Sequence, residues 1–516
     1  MNLLKTLAAI SSMTMLSRVT GLLRESLMAR AFGSGVYTDA FIVAFRLPNL
    51  LRRLFAEGAF SQAFVPLLSE YKNKNGEAET KELIDQAATF LLWSTVLVSL
   101  AGILAAPLLI YWIVDPASQT PDSNQAAVWM TRFMFPYIAC MSFVALAGGI
   151  LNTWRQFKIP AFTPVMLNLS FICASLFLPR YLEHPIYAMA IAVMVGGLLQ
   201  VALQIPSLVK IGMLPRIHLN PITALRDPGV RRILQKMGPA LLGVSAAQIS
   251  LLINTTIAGH LGPGAVSALS WADRLMEFPT AMLGVALGTI LLPGLSKAIS
   301  NEDPAEYSGL LNWGLRLTFL LAMPAAVGLA MLAEPLIAAL FNYGKFDAAA
   351  THAAAAPLVA YSAGLLGIIV VKILTPAFYA RQDFRTPVRI AIGTVIAVQL
   401  LNLALVPQLG VSGLALSIGL GACINAGTMY FLLRKRDIFT LQPGWPLFFG
   451  KLSLAVLAMG ALAWYASQLF TWTGPGVHGL MRALELGAII TACVMVYFAL
   501  LFALGFRVGD FRRAAR

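Results

Sequence analysis

The sequence predicts an all-α polytopic membrane protein of about fourteen transmembrane helices, built as two parallel six-helix repeats followed by two further helices. Three observations carry this. Of the 516 residues, 58% are hydrophobic and only 12% are charged, with a mean hydropathy of +0.77. A soluble chain of this size carries about 25% charged residues. Apolar windows of about 20 residues, long enough to span the hydrocarbon core as a helix, recur from end to end. Finally, the basic residues alternate with the windows. With the N-terminus inside, twenty-three Lys and Arg fall in segments on that side and two, Arg180 and Lys345, on the other. Basic residues stay on the cytoplasmic side, and one missed helix would invert every later segment. Both termini are therefore expected in the cytoplasm.

The fourteen stretches lie at about 6–32, 37–62, 84–113, 128–153, 161–179, 185–210, 237–259, 267–296, 310–340, 354–379, 386–406, 411–433, 446–470 and 481–505. The first opens like a signal peptide, but Arg18 and Arg24 interrupt the apolar run early, so it reads as a retained helix. Gly33-Ser34-Gly35 separates it from the second, where Pro48 and Pro66 allow bending. The third to sixth are plain apolar runs. Residues 211–236 interleave apolar and basic side chains between prolines, and read either as an interfacial segment or as a solvated linker. Gly262-Pro263-Gly264 separates the seventh stretch from the eighth. Four more apolar runs follow. Residues 441–516 add the last two stretches, with Trp445, Trp464, Tyr465 and Trp472 expected near the interfaces, where aromatic rings anchor helices.

The chain also repeats itself. Gly33-Ser34-Gly35, Arg46-Leu47 and Pro66-Leu67-Leu68-Ser69 recur as Gly262-Pro263-Gly264, Arg274-Leu275 and Pro293-Gly294-Leu295-Ser296, at offsets of 229, 228 and 227. Arg155-Gln156 and Thr163-Pro164-Val165 recur as Arg381-Gln382 and Thr386-Pro387-Val388, at 226 and 223. Each match is weak alone, but matches in order at nearly one offset argue for duplication. Six helices separate the copies, so both run the same way through the membrane, a transporter arrangement with the substrate path between lobes. The expected organisation is an N-lobe over 1–210, a linker over 211–236, a C-lobe over 237–440 and an added pair over 441–516.

Charge at membrane depth marks the candidate site. The first stretch carries Arg18, Arg24, Glu25 and Arg30; the second, Asp39, Arg46, Arg52, Arg53 and Glu57; the eighth, Asp273, Arg274 and Glu277. One Arg at a helix centre costs roughly 2.5–3.5 kcal/mol on the insertion scale, so these residues face a polar interior or lie near the interfaces. Counted from Leu7 at about 1.5 Å per residue, Arg18 lies about 17 Å deep, near the midplane. Asp39, Arg46 and Arg53 are seven apart and nearly share a stripe. Glu57 can pair with Arg53, and Arg274 and Glu277 share a face. Arg30, at a helix end, reads equally well as a snorkelling residue. The arginines at 18, 24, 46, 52, 53 and 274 outnumber the carboxylates at 39, 57, 273 and 277 by six to four. A purely structural network tends to balance. The surplus suits an anion, and guanidinium forks match phosphate oxygens.

Other chemistries find no residues. Cys140, Cys173, Cys423 and Cys493 sit in apolar runs without CxxC spacing, and the five histidines are scattered. There is no phosphate-binding G-x-x-x-x-G-K-[ST] loop, no nucleophile elbow and no basic soluble face for nucleic acid. A transporter without a resident cofactor is expected, acting as a monomer and driven by membrane potential or a sodium or proton gradient.

The runs SSMTMLSRVTGLLRESLMARAFG, TDAFIVAFRLPNLLRRLFAEGAFSQAFVPLLSEYK, ILNTWRQFKIPAFTPVMLNLS, GPALLGVSAAQISLLINTTIAGHL and ADRLMEFPTAMLGVALGTILLPGLSK resemble the MurJ (MviN) family of bacterial lipid II flippases, in the multidrug/oligosaccharidyl-lipid/polysaccharide exporter superfamily. The resemblance spans essentially the whole chain. It implies fourteen helices in the bacterial inner membrane, with a central cationic cavity lined by helices one, two, seven and eight. It also implies a groove at helices thirteen and fourteen for the lipid tail. The family's functional arginines fall on Arg18, Arg24, Arg52 and Arg274, and its acidic positions on Asp39, Glu57 and Glu277. Its sodium site has no ligand-by-ligand match here, although Asn254, Gln399 and Asn402 are polar residues in the relevant helices. The alternatives are a flippase for another undecaprenyl-linked oligosaccharide, an ion-coupled drug exporter, an intramembrane polyprenyl-phosphate enzyme and a non-transporting scaffold. The arginine surplus disfavours cationic drugs, the missing motifs disfavour the enzyme, and the costly charges disfavour the scaffold.

Overall fold

The computed structural model describes the backbone of residues 3–53, 60–114, 120–474 and 478–507, and their side chains apart from 3–12, 14, 62, 239–240, 242–244, 247 and 285–290. Among these residues the regular structure is entirely helical. The first stretch is α1 (Leu3–Phe32), and the second divides into α2 (Val36–Arg52) and α3 (Ser61–Lys74). The third is α4 (Gly76–Ile113), the fourth α5 (Pro121–Met134) with α6 (Tyr137–Thr153), the fifth α7 (Lys158–Phe177) and the sixth α8 (Tyr187–Lys210). A short α9 (Pro221–Arg226) lies in the linker, and the seventh stretch is α10 (Pro228–Gly259). The eighth runs through α11 (Ala265–Pro279), a π-helical turn (Thr280–Val285) and α12 (Ala286–Ser300). The ninth is α13 (Pro304–Met331) with α14 (Ala333–Phe341), and the tenth α15 (Ala348–Ser362) with α16 (Leu365–Ala380). Then come α17 (Arg385–Leu409), α18 (Val411–Lys435), α19 (Trp445–Gln468) and α20 (Gly479–Ala503).

Among the described residues, nine helices are long and apolar enough to cross a membrane, or ten if α15 and α16, bent by 46°, form one span. Outside that set are the first, second, seventh and eighth stretches, each of which includes side chains beyond the described ones. The count of fourteen rests on the alternation of charge along the sequence.

By their contacts the residues form two units, Met1–Val266 with Gly344–Phe346, and Ser267–Tyr343 with Asp347–Arg516. In the first unit, Phe60, Phe64, Leu67 and Leu68 pack against Leu83, Ile84 and Leu91 of α4 and Leu146, Ile150 and Leu151 of α6. The linker is docked here. Asp85 of α4 accepts from the Arg216 N–H (2.8 Å), Thr89 Oγ1 from the His218 N–H (3.0 Å), and Trp93 Nε1 donates to the His218 carbonyl (3.2 Å). Helix α10 starts nine residues ahead of the expected 237, because Asp227 caps the Val230 N–H and Pro228 takes the first helical position. Hydropathy hid this polar first turn. Helix α10 packs on α2, α3, α4 and α9 within the first unit.

One device ends the fourth, sixth, eighth, tenth, twelfth and fourteenth stretches. After each helix a residue turns into the left-handed region: Arg155, Gly212, Glu302, Gln382, Asp437 and Gly505, at φ of 53–90°. The next N–H then reaches back to a carbonyl five residues earlier at 2.8–3.0 Å, as Gln156 does to Leu151 and Asp383 to Phe378. These bonds occupy carbonyls the helix end would leave open. Four of the six turns use a residue other than glycine, so a search for C-terminal glycines misses them. Arg155 and Gln382 lie 227 apart, the same offset as Pro66 and Pro293. The Arg-Gln dipeptides therefore mark equivalent turns one residue out of register.

The last two helices are fastened to α13 and α14 within the second unit. Asn312 of α13, fully buried, donates to the Thr440 carbonyl (2.8 Å) and accepts from the Gln442 N–H (3.2 Å) and Trp445 Nε1 (3.0 Å). Arg316 donates to the Pro443 carbonyl (2.8 Å) and faces the Trp445 ring at 5.4 Å. Tyr497 of α20 donates to the Leu320 carbonyl. Replacing Asn312 by Ala strands the Thr440 carbonyl, the Gln442 amide and the indole N–H together. At about 1–3 kcal/mol for each buried group left unsatisfied, Asn312→Ala is expected to lower the Tm of the purified protein by several degrees, which a thermal-shift measurement in detergent or nanodiscs reads directly.

Candidate functional site

Helix α1 packs along α7, and that contact fixes Arg24. Asn168 of α7 donates through Nδ2 to the Ser17 carbonyl (2.9 Å) and Thr20 Oγ1 (3.0 Å), and its Oδ1 accepts from Arg24 Nη1 (3.2 Å). The guanidinium lies over the Phe171 ring, 5.0 Å from its centre, and its other edge pairs with Glu25. Arg24 is thus held on three sides, by an amide, a ring and a carboxylate. Six residues earlier, Arg18 is exposed.

The break after α1 is built on Gly33 (φ +69°) and Gly35, with Thr38 Oγ1 donating to the Gly33 carbonyl at 2.9 Å. Asp39, in the first turn of α2 and 2% exposed, accepts from the Gly264 N–H at 2.6 Å. This carboxylate joins the two glycine breaks that the repeat matches. The sequence had grouped Asp39 with the arginines; its hydrogen bond to Gly264 gives it a backbone-bracing task as well. Further along α2, Arg46, Arg52 and Arg53 are half-buried, and Arg52 Nε donates to Asn49 Oδ1 (2.9 Å). Glu57 lies outside the described residues.

In the second unit, α11 seats Trp271 in the core against Phe341, the ring centres 5.1 Å apart. Asp273 is half-buried, while Arg274 and Glu277 are exposed and paired at 3.2 Å, as their i,i+3 spacing predicts. The helix then enters the π-helical turn, a departure often found at functional positions. There Gly284 leaves room for the Lys372 side chain of α16, whose Cδ a Cβ would approach to 2.6 Å.

The sequence-predicted residues therefore divide between the units: Arg18, Arg24, Asp39, Arg46, Arg52 and Arg53 in the first, and Asp273, Arg274 and Glu277 in the second. Sequence reasoning missed Asn168 and Phe171 as neighbours of Arg24, and Lys372 beside the π-helical turn. Asn168 and Lys372 are polar interruptions of apolar runs and were open to notice, whereas Phe171 carries no signal among so many aromatics. Of the polar residues considered for a cation, Asn254 is buried, and Asn402 donates to Gln399 Oε1 (3.1 Å) on the same helix.

Comparison with known proteins bears on what these residues serve. The family described as "Lipid II flippase MurJ" matches residues 28–482. The chain is similar to the lipid II flippase MurJ of Burkholderia cenocepacia, with 52% identity over the full length of both. It is also similar to the probable lipid II flippase MurJ of Haemophilus influenzae, with 38% identity over 96% of this chain and 98% of that one. Among solved structures, "Lipid II flippase MurJ, inward closed conformation" superposes with a TM-score of 0.79 over 96% of this chain and 99% of that one, at 23% identity. An inward-facing multidrug resistance MATE transporter of the MOP superfamily superposes with a TM-score of 0.67 over 83% and 97%, at 15% identity. These two structural likenesses establish the fold alone. With a family match over most of its length and a half-identical full-length relative, the chain belongs to the lipid II flippase MurJ family.

Proposed function

We propose that this protein flips lipid II, the undecaprenyl-pyrophosphate-linked peptidoglycan precursor, from the inner to the outer leaflet of the bacterial cytoplasmic membrane, with both termini on the cytoplasmic side. The observation that carries this reading is the surplus of arginine over carboxylate on apolar helices, in a chain half-identical to a named lipid II flippase. Arg18, Arg24, Arg52 and Arg274 supply forked donors for the pyrophosphate. Glu25 and Glu277 hold Arg24 and Arg274 between substrate visits. Asp39, Arg46, Arg53, Glu57 and Asp273 complete the charged lining, and the undecaprenyl tail runs along the helices of residues 441–516. The lobes alternate access around this site, and a ligand gripped more fully in one state than in the other shifts the balance between them.

Depletion of the protein is expected to leave lipid II in the inner leaflet, and complementation checks the residues. Arg24→Ala and Arg274→Ala should insert normally, since each removes an insertion cost, yet fail to restore flipping. Arg274→Lys keeps the charge without the fork and should bind lipid II more weakly than the parent. Normal lipid II export after depletion would sink the reading.

The hold on Arg24 gives a graded expectation. Asn168→Leu removes the hydrogen bond to Arg24, worth about 1.5 kcal/mol or more for a charged group, together with those to Ser17 and Thr20, so lipid II affinity should fall roughly tenfold or more. Binding measured by scintillation proximity or native mass spectrometry checks this, and unchanged affinity would show that α7 does not orient the arginine.

The driving force follows from the charges. A pyrophosphate with two negative charges moving outward down an inside-negative potential gains roughly 2 × 2.3 kcal/mol per 100 mV if it crosses the whole field. Collapsing the potential in proteoliposomes at fixed pH and sodium should slow flipping. Constant flux under the ionophore would transfer the drive to a sodium or proton gradient.

A further inference from the structure

Arg482, at the start of α20, is 5% exposed and outside the charged constellation described above. Its partners are backbone oxygens. Nη1 donates to the Ala338 carbonyl (3.0 Å) and, more weakly, to that of Trp472 (3.5 Å), and Nη2 donates to the Asn342 carbonyl (2.9 Å). The guanidinium also faces the Tyr343 ring at 4.9 Å. Ala338 lies in the last turn of α14, its carbonyl also accepting from the Asn342 N–H at 3.2 Å, and Asn342 follows the end of the helix, where the dipole is negative. One side chain of the last helix therefore caps the ninth stretch from outside and fixes the direction in which the chain leaves it.

The next three residues, Gly344–Phe346, belong by contact to the first unit. Their seat is the end of α1. The Lys345 N–H donates to the Arg30 carbonyl at 3.0 Å, and Phe346 is buried. Gly344 (φ +60°) and Gly33 (φ +69°) fit so closely that a Cβ on either would stand 2.5 Å from the carbonyl oxygen of Arg30 or Lys345 respectively. Only glycine fits at both. This is the end of the helix that carries Arg18 and Arg24, directly at its break.

We propose that Arg482 is a positioning residue for transport: by fixing the turn at Asn342–Tyr343 it sets the seating of Gly344–Phe346 on the end of α1. The link is the chain itself, which passes from one unit to the other at Tyr343–Gly344. A guanidinium suits this task because its fork serves several oxygens at once while its face stays on a ring. The role in transport rests on the flippase reading; the hold on the turn does not.

The test is hydrogen–deuterium exchange on the full-length protein in nanodiscs, read for peptides covering 342–347 and 28–36, alongside lipid II flipping in proteoliposomes. Arg482→Ala is expected to speed exchange in both peptides about tenfold or more, the scale set by losing hydrogen bonds to a charged group, with α13 and α19 unchanged and flipping lowered by a similar factor. Arg482→Lys, which keeps a donor to one or two of the carbonyls, should fall between the two. Gly33→Ala, which spoils the seat from the other side, should reproduce the exchange at 342–347, and the double variant should add little to either single one. Unchanged exchange at 342–347 would overturn the proposal. So would a rise spread evenly over α14, α19 and α20, the mark of a structural strut, or parental flipping with the turn loosened. If the turn loosens as expected while the parent moves no lipid II, the hold by Arg482 stands and the flippase reading falls.

Discussion

The cost of a guanidinium among apolar helices governs much of this structure. A charge taken from water must be met by oxygen, by a π-face or by an opposite charge, or it will not stay. Arg24, Arg316 and Arg482 meet the requirement alike: one edge reaches an amide or backbone oxygen, and the flat face lies on an aromatic ring. Arg24 alone of the three has a carboxylate, Glu25, as a described partner. Backbone carbonyls are immobile and bear only partial charge, so Arg316 and Arg482 act as fasteners. Arg24 and Arg274 instead pair with a full negative charge, on Glu25 and Glu277.

The same need to satisfy backbone groups shapes the helix ends. Six stretches finish in the left-handed turn, and the N-terminal ends often use a side chain instead, with Asp227, Asp303 and Asp347 each accepting from an N–H three residues on. At the break after α1 the donors and acceptors come from farther away: Gly264 donates to Asp39, and Lys345 donates to Arg30. Three segments distant in sequence thus complete one another's hydrogen bonding.

The two added helices show how an appendage becomes part of a unit. Their connecting segment, Thr440–Trp445, hangs on Asn312 and Arg316, Tyr497 reaches the Leu320 carbonyl, and Arg482 caps α14. Between apolar helices in lipid there is little hydrophobic drive to associate, so close packing and such polar ties carry the attachment.

By itself the sequence determined the helical class, the apolar stretches, the duplication and the identity of the charged candidates, because each is written in composition, periodicity and spacing. The i,i+3 pair Arg274–Glu277 was legible for the same reason, being a property of one helix. What one helix does to another was not. Nothing in LNLSF announces that Asn168 and Phe171 orient Arg24, and nothing near Gly264 names Asp39 as its partner. The start of α10 at Pro228 was hidden because its first turn is polar, although Asp227-Pro228 carried the capping signal. Arg316 and Arg482 look in sequence like further intramembrane charges. Only the tertiary structure, by bringing carbonyls and rings from other helices to their guanidinium groups, decided that these two are held by backbone oxygens while Arg24 and Arg274 pair with the carboxylates of Glu25 and Glu277.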